Sequence, residues 1–190
     1  MSGALSVFTA FGLSSAAGLN AYIPLLVVAL LARFTDLIEL NAPWDALTSP
    51  WTIGVLAVLL LIEVVADKVP AVDTANDVIQ TFIRPTAGAI LFAASVGTAG
   101  KVDSVLAMIC GLLLAGGVHA TKATVRPVIT ATTAGTMNPV VSTAEDIVAL
   151  MVSIVAIVLP IVCMVLMAVI AIWLIRLWRR RRRRAAGQWE

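Results

Sequence analysis

Asp73, Asn76, Asp77, Gln80 and Arg84 follow one another at steps of three, one, three and four residues. On a helix they form one polar stripe. Glu63 and Asp67 share a face one segment earlier. A second face collects His119, Lys122, Arg126, Thr130 and Thr133, provided the helix persists through Pro127. Groups of these types do one of three things: carboxylates bind a cation or a proton, Lys and Arg hold an anionic group, or the two kinds neutralise each other. In hydrocarbon an isolated charge costs at least a few kcal/mol, so such groups face a bundle interior, a partner or water. One reading is therefore a solute or ion pathway. The other is an amphipathic helix resting at the interface, with Arg84 snorkelling and the acids solvated.

Two polar faces in a small bundle invite pairing, with Glu145 and Asp146 completing a mixed-sign network. Such a network also has a purely structural reading, since buried ion pairs can fix a unique packing. His119 is the single histidine. At the end of a span it is either a hydrogen-bonded interfacial residue or a proton relay.

Motifs for catalysis are mostly missing. The chain has no G-x-S-x-G, no HExxH and no Walker loop, and one histidine rules out a multi-histidine metal site. Asp73-xxx-Asp77 matches half of the acidic motif of CDP-alcohol phosphotransferases, but the Asp-Gly and Ala-Arg half is missing. Arg126-Pro127 resembles the Arg-Pro of lipid phosphatases without their histidine motifs. The expectation is a non-enzyme with no catalytic residue and no cofactor. Cys110 and Cys163 lie deep in apolar runs, which argues against a disulfide or a metal site there.

The elements that must position these groups follow from composition. The 190 residues are 61% hydrophobic and 13% charged, with a mean hydropathy of +1.02. Such a chain is an integral membrane protein, and a soluble enzyme is excluded. The net charge of +2 comes from the C-terminus: without Arg176, Arg179 to Arg184 and Glu190, six basic side chains stand against ten acidic ones. The expected fold is an all-α polytopic bundle of four to five spans with interrupted or re-entrant segments, and a weak internal two-fold repeat built on Arg84-Pro85 and Arg126-Pro127.

Along the chain, the apolar run 5–34 carries Gly18, Asn20 and Pro24, which predicts a helix interrupted near Asn20 and turned to the interior. Residues 35–50 hold Asp36, Glu39, Asp45, two prolines and the first of two flanking tryptophans, as expected of a surface connection. A clean span follows from Trp51 to about Ala66. Residues 73–97 either re-enter or cross. Another span runs from Ser104 to Val118 and ends at His119, and the threonine-rich stretch 123–142 reads as a second irregular segment, with Asn138-Pro139 near its end. The last helix is expected to start near Ser142, where Ser142 with Glu145 fits a capping box. Its apolar run from Ile147 to Ile175 would be roughly 43 Å long, so it must tilt, kink at Pro160 or protrude. The spacings Ala89-xxx-Ala93-xxx-Gly97 and Gly116-xxx-Ala120 predict close helix approach.

Residues 1–178 thus read as one transmembrane helical domain and 179–190 as an arginine-rich tail. Arg179, Arg180, Arg181, Arg182, Arg183 and Arg184 anchor the C-terminus in the cytoplasm and contact anionic lipid headgroups. If the acidic first loop lies outside, both termini are cytoplasmic. Nucleic acid is not an expected partner, because the arginines have no interleaved stacking aromatics.

Gly18 to Pro24, Ala66-Asp67-Lys68-Val69-Pro70 with Asp73 and Asp77, Arg84-Pro85, His119 with Lys122, Asn138-Pro139 and Glu145-Asp146 together resemble domain of unknown function family 4126. This is a group of small bacterial and plant-type multipass proteins, and the resemblance covers nearly all of the chain except the arginine tail. It implies a multipass protein of the plasma (inner) membrane and names no substrate. The functional expectation is a transporter or channel for a small ion or solute, working as a homo-oligomer. Its site is assigned to Asn20, Glu63, Asp67, Lys68, Asp73, Asp77, Arg84, His119, Lys122, Arg126, Asn138, Glu145 and Asp146. The alternatives are a lipid-phosphate-binding protein, acting as flippase or membrane enzyme with carboxylates on a divalent ion, and a non-catalytic subunit of a membrane complex.

Overall fold

The computed structural model describes residues 3–67, 70–97, 102–162, 165–166, 169–170, 172–173 and 175–176; of residues 4 and 70–75 it describes the backbone alone. Helices make up the described architecture: α1 (Gly3–Leu19), α2 (Tyr22–Phe34), α3 (Pro50–Ala66), α4 (Pro70–Gly97), α5 (Ser104–Thr133) and α6 (Asn138–Val158), with a short 3-10 turn at Trp44–Thr48. Three stretches, Asn76–Gly97, Ser104–Thr133 and Asn138–Val158, are long and apolar enough to cross a membrane.

The apolar residues face outward where a soluble protein would place polar ones. On α4 the stripe points inward, with Gln80 and Arg84 buried, while Phe82 on the opposite side is 75% exposed. On α3 only Leu56 and Glu63 are buried, and Val55, Val58, Leu61, Ile62 and Val65 all face out. This inversion is what a lipid solvent selects. It also replaces the reading of residues 73–84 as a helix resting at the interface.

The interruption expected near Asn20 is present and becomes a helical hairpin. Asn20 Oδ1 accepts hydrogen bonds from the backbone N–H groups of Tyr22 and Ile23 at 3.0 and 3.1 Å, which caps α2. Pro24 follows in the first turn, where its missing N–H costs nothing. The two arms return to one end of the bundle: Ser6, Thr9 and Leu13 of α1 line the same cavity as Val28 of α2 and residues Asp36 to Leu40. The tip meets Lys122 and Asp146. Those positions lie about 16 Å from the end of α5 and about 12 Å from the start of α6 at 1.5 Å per residue, so the hairpin stops short of the far end.

Helix α1 is the central element, and its small residues allow close approach. A Cβ on Gly18 would meet the Ala115 carbonyl oxygen at 2.6 Å. The α4–α5 crossing is tighter still, since a Cβ on Gly111 would meet the Gly88 carbonyl oxygen at 2.2 Å. This crossing uses Gly88 and Gly111 in place of the expected Gly116 spacing, although Ala89 and Ala93 are buried nearby. Around α1 lies an apolar core of Leu13, Ala17, Tyr22, Leu25, Val28, Leu56 and Leu91. Phe11 and Phe92 stack edge to face with centroids 5.2 Å apart.

Residues 73–97, left open between re-entry and a crossing, belong to one continuous helix of 28 residues with Pro85 inside it, and Asn76–Gly97 is long and apolar enough to cross a membrane. Three expectations are corrected. Residues 123–133 are not irregular but continue α5 through Pro127, so His119 sits within a helix and not at the end of a span. The threonines that made this stretch look too polar return their hydroxyl protons to the preceding turn: Thr121, Thr124 and Thr133 each donate to the carbonyl four residues back, at 2.7 to 2.9 Å. The Arg-Pro pairs therefore lie inside continuous helices. The chain breaks at Ala134 and Gly135, both with positive φ, and α6 begins at Asn138 with Pro139 in its first turn. Ser142 is inside that helix and caps nothing. Lastly, the N-terminal turns of α1 share an end with the acidic loop, so an external loop does not go with a cytoplasmic start of α1. The long terminal run does break at Leu159, just before Pro160.

Candidate functional site

Near the far end of the bundle four helices contribute charged side chains to one buried network. Arg84 of α4 is completely buried, and its Nη2 donates to Glu63 Oε1 of α3 at 3.0 Å. Its Nη1 donates to His119 Nδ1 of α5 at 2.9 Å and lies 3.7 Å from Asp77 Oδ1. Asp77 Oδ2 receives Arg126 Nη1 at 3.3 Å. Arg126 Nη2 stands 3.5 Å from both Asp67 Oδ2 and Glu145 Oε2. Glu145 in turn holds Lys122 Nζ at 2.8 Å, and Lys122 donates to the Leu19 carbonyl at 3.2 Å. A single chain of shared partners thus runs Glu63, Arg84, Asp77, Arg126, Glu145, Lys122.

Polar neutral groups fix the acids in place. Asp67 accepts from Ser142 Oγ at 2.8 Å and from Asn76 Nδ2 at 3.1 Å. Asn20 donates to Asp146 Oδ1 at 2.9 Å, which ties the hairpin tip to α6. Asn138 Oδ1 accepts from Thr130 at 3.0 Å and joins α5 to α6 beyond the break. Several acceptors stay open: Glu63 Oε2, Asp77 Oδ1 and Gln80 Oε1 are buried with no hydrogen-bond partner among the described residues. A buried unpaired acceptor costs free energy unless a water, a proton or an ion meets it.

The network is sealed at one side and open at the other. Side chains of Arg84 and Glu63 are at most 1% exposed, whereas Asp77 is 23% and Glu145 17% exposed. A cavity of about 380 Å³ reaches Lys122, Arg126 and Glu145 between walls of Leu19, Val118, Val125, Ile129 and Val141. At the opposite end a second cavity of about 240 Å³ has Ser6, Thr9 and Ser95 on its walls and Asp36 and Glu39 beside it. Leu13 and Val28 line this second cavity and belong to the apolar core.

Of the expected site residues, Asn20, Glu63, Asp67, Asp77, Arg84, His119, Lys122, Arg126, Glu145 and Asp146 come together here, and Asn138 sits at the edge through Thr130. Asp73 belongs to α4 by its backbone, and its side chain lies outside the described residues. Lys68 and Arg179 to Arg184 also lie outside them, as does Cys163. Sequence reasoning missed Thr81 as a working part and read Ser142 only as a helix cap. Thr81 Oγ1 is 3.1 Å from His119 Nε2. The signal for it was its position four residues after Asp77 and three before Arg84. Among the described residues no cluster of three or more His, Cys, Asp or Glu has the geometry to hold a metal ion.

Searches of curated proteins and of solved structures return no match to this chain. The family model described as a domain of unknown function (DUF4126) matches residues 7–180. Because that match spans most of the sequence, the chain belongs to this family of unknown function.

Proposed function

We propose that the protein is a small membrane transporter or channel that passes a small ion or solute by way of the Asp77, Arg126, Glu145 and Lys122 end of the network. The carrying observation is the sharing of Arg126 among three carboxylates at 3.3 to 3.5 Å, beside acids that keep part of their surface open. A pair that serves packing alone is best closed and saturated, because burial of charge is offset only by complete hydrogen bonding. Loosely shared partners exchange at low cost, and an entering cation or anion takes the place of one of them. The hairpin tip at Asn20 and the apolar core behind it close the route toward the opposite cavity. In this reading the arginine-rich C-terminus is cytoplasmic and the chain acts as a homo-oligomer in the plasma membrane.

The test is flux in liposomes reconstituted with a panel of small ions. Asp77→Asn, which keeps the shape and removes the charge, is expected to abolish flux while the protein stays folded. Undiminished flux through folded Asp77→Asn would refute the pathway.

A second reading is favoured by the cavity between α5 and α6, whose apolar walls lead to Lys122 and Arg126. That combination suits a lipid phosphate. Retention of a stoichiometric phospholipid in non-denaturing mass spectra, lost in Arg126→Gln, would move the assignment there.

A further inference from the structure

Resting on the transport reading, we infer that His119 is the proton-binding site of this protein, and that a proton on its Nδ1 and the Arg84 hydrogen bond to the same atom exclude one another. The tautomer follows from the partners. A guanidinium has only donors, so His119 Nδ1, 2.9 Å from Arg84 Nη1, accepts. The ring is then neutral, with its proton on Nε2, 3.1 Å from Thr81 Oγ1. The Thr81 hydroxyl has one proton and gives it to the Asp77 carbonyl oxygen at 2.9 Å, which leaves its lone pairs for the histidine. Every donor along this line has one acceptor, and no other tautomer satisfies both ring nitrogens.

Adding a proton at Nδ1 turns that acceptor into a donor facing a donor. The new N–H bond forms at the expense of the Arg84 hydrogen bond, and Nη1 must find another acceptor. One is waiting: Asp77 Oδ1 is 3.7 Å away and has no hydrogen-bond partner among the described residues. Arg84 keeps Glu63 through Nη2 and needs to move by less than an ångström to reach hydrogen-bonding distance of Asp77. Asp77 is also the carboxylate that holds Arg126. Drawing Arg84 onto Asp77 weakens its claim on Arg126, which then rests on Asp67 and Glu145 at the open end. A proton thus re-sorts ion pairs where the transported species would enter.

Arg84 and Asp77 act on the ring from α4, and Lys122 and Arg126 lie on its own helix. Behind them stand Glu63 and Asp67 at the end of α3, Tyr22 of α2, and Glu145 and Asp146 of α6, while α1 carries no titratable side chain. Thr81 is exposed and Asp77 half-buried, so the line from surface to ring is short.

Because the chain has a single histidine, nitrogen NMR of the ring in the full-length protein, labelled with 15N-histidine in lipid nanodiscs, reports one residue. The expected spectrum near neutral pH is the neutral Nε2–H tautomer, passing to imidazolium on acidification. Arg84→Gln, which removes the competing donor, is expected to raise the titration midpoint by at least about one pH unit, a tenfold change in proton affinity. Asp77→Asn, which removes the alternative acceptor, is expected to lower it by a similar amount. An Nδ1–H tautomer, an imidazolium at neutral pH with Arg84 intact, or a midpoint unmoved by both substitutions would overturn the inference. The ring signals do not depend on flux, so a protein that transports nothing yet shows these shifts would refute the transport reading and leave the proton site standing.

Discussion

Glu63 shows at the residue scale why this site is more than a list of polar positions. It is the one buried charge on a helix otherwise turned to apolar surroundings, and it answers Arg84, which has no exposure at all. Removing one partner of a buried pair leaves the other charge uncompensated, which costs about 3 to 5 kcal/mol. Glu63→Ala is therefore expected to destabilise the protein by that order, read as a lower thermal midpoint in mild detergent. A Glu63→Ala, Arg84→Met double variant should recover most of the loss, because no charge is then stranded. Asp77 sits differently. It is part-open and shares its partners, so Asp77→Asn is expected to change flux and leave the thermal midpoint nearly unmoved.

Packing at the element scale rests on small residues placed where helices cross. At Gly88 an added methyl runs into the backbone of Gly111 and the side chain of Ala115, and backbone cannot yield as a side-chain tip does. Gly88→Ala is expected to cost about 1 to 3 kcal/mol, as overpacking does, and to loosen the α4–α5 contact that sets the distance from Arg84 to His119. Gly54→Ala is the matched control, since nothing lies within 4 Å of its added carbon. It should be neutral or slightly stabilising, because alanine is the better helix former. Comparing the two thermal midpoints in one detergent separates crossing geometry from helix propensity. Sequence reading at this scale found the break near Asn20, the span starting at Ser104 and the apolar helix before Ala66. It spread the later break over 123–142, where the helices leave only 134–137, because polarity was counted per side chain. A threonine hydroxyl bonded to its own helix carries little polar cost into the membrane.

At the scale of the whole molecule, the hairpin decides the topology. The start of α1, the acidic connection 36–40, and the ends of α4 and α6 meet at one cavity, while the turn at 134–137 lies at the other end. With Cys110 and Cys163 replaced, single cysteines at Glu39 and at Gly3 are expected to react with an impermeant thiol reagent from the same side of a sealed vesicle. A cysteine at Thr136 should react only from the opposite side. Labelling of Gly3 and Glu39 from opposite sides would mean that α1 and α2 cross as one interrupted span and not as a hairpin.

The amino-acid sequence by itself determined the solvent this protein lives in, its helical class and the identity of nearly every charged residue in the network. The physical reason is that transfer of apolar surface and of charge into hydrocarbon is costed residue by residue, so composition and spacing along a helix are sufficient to reveal it. Only the tertiary structure decided which charge meets which, that Asn20 turns the chain back, that Gly88 and Gly111 make the crossing, and that Thr81 joins His119 to Asp77. Those outcomes depend on where separate helices approach within hydrogen-bonding distance. His119 and Arg84 are 35 positions apart, and nothing in the spacing of one helix specifies its rotation against another.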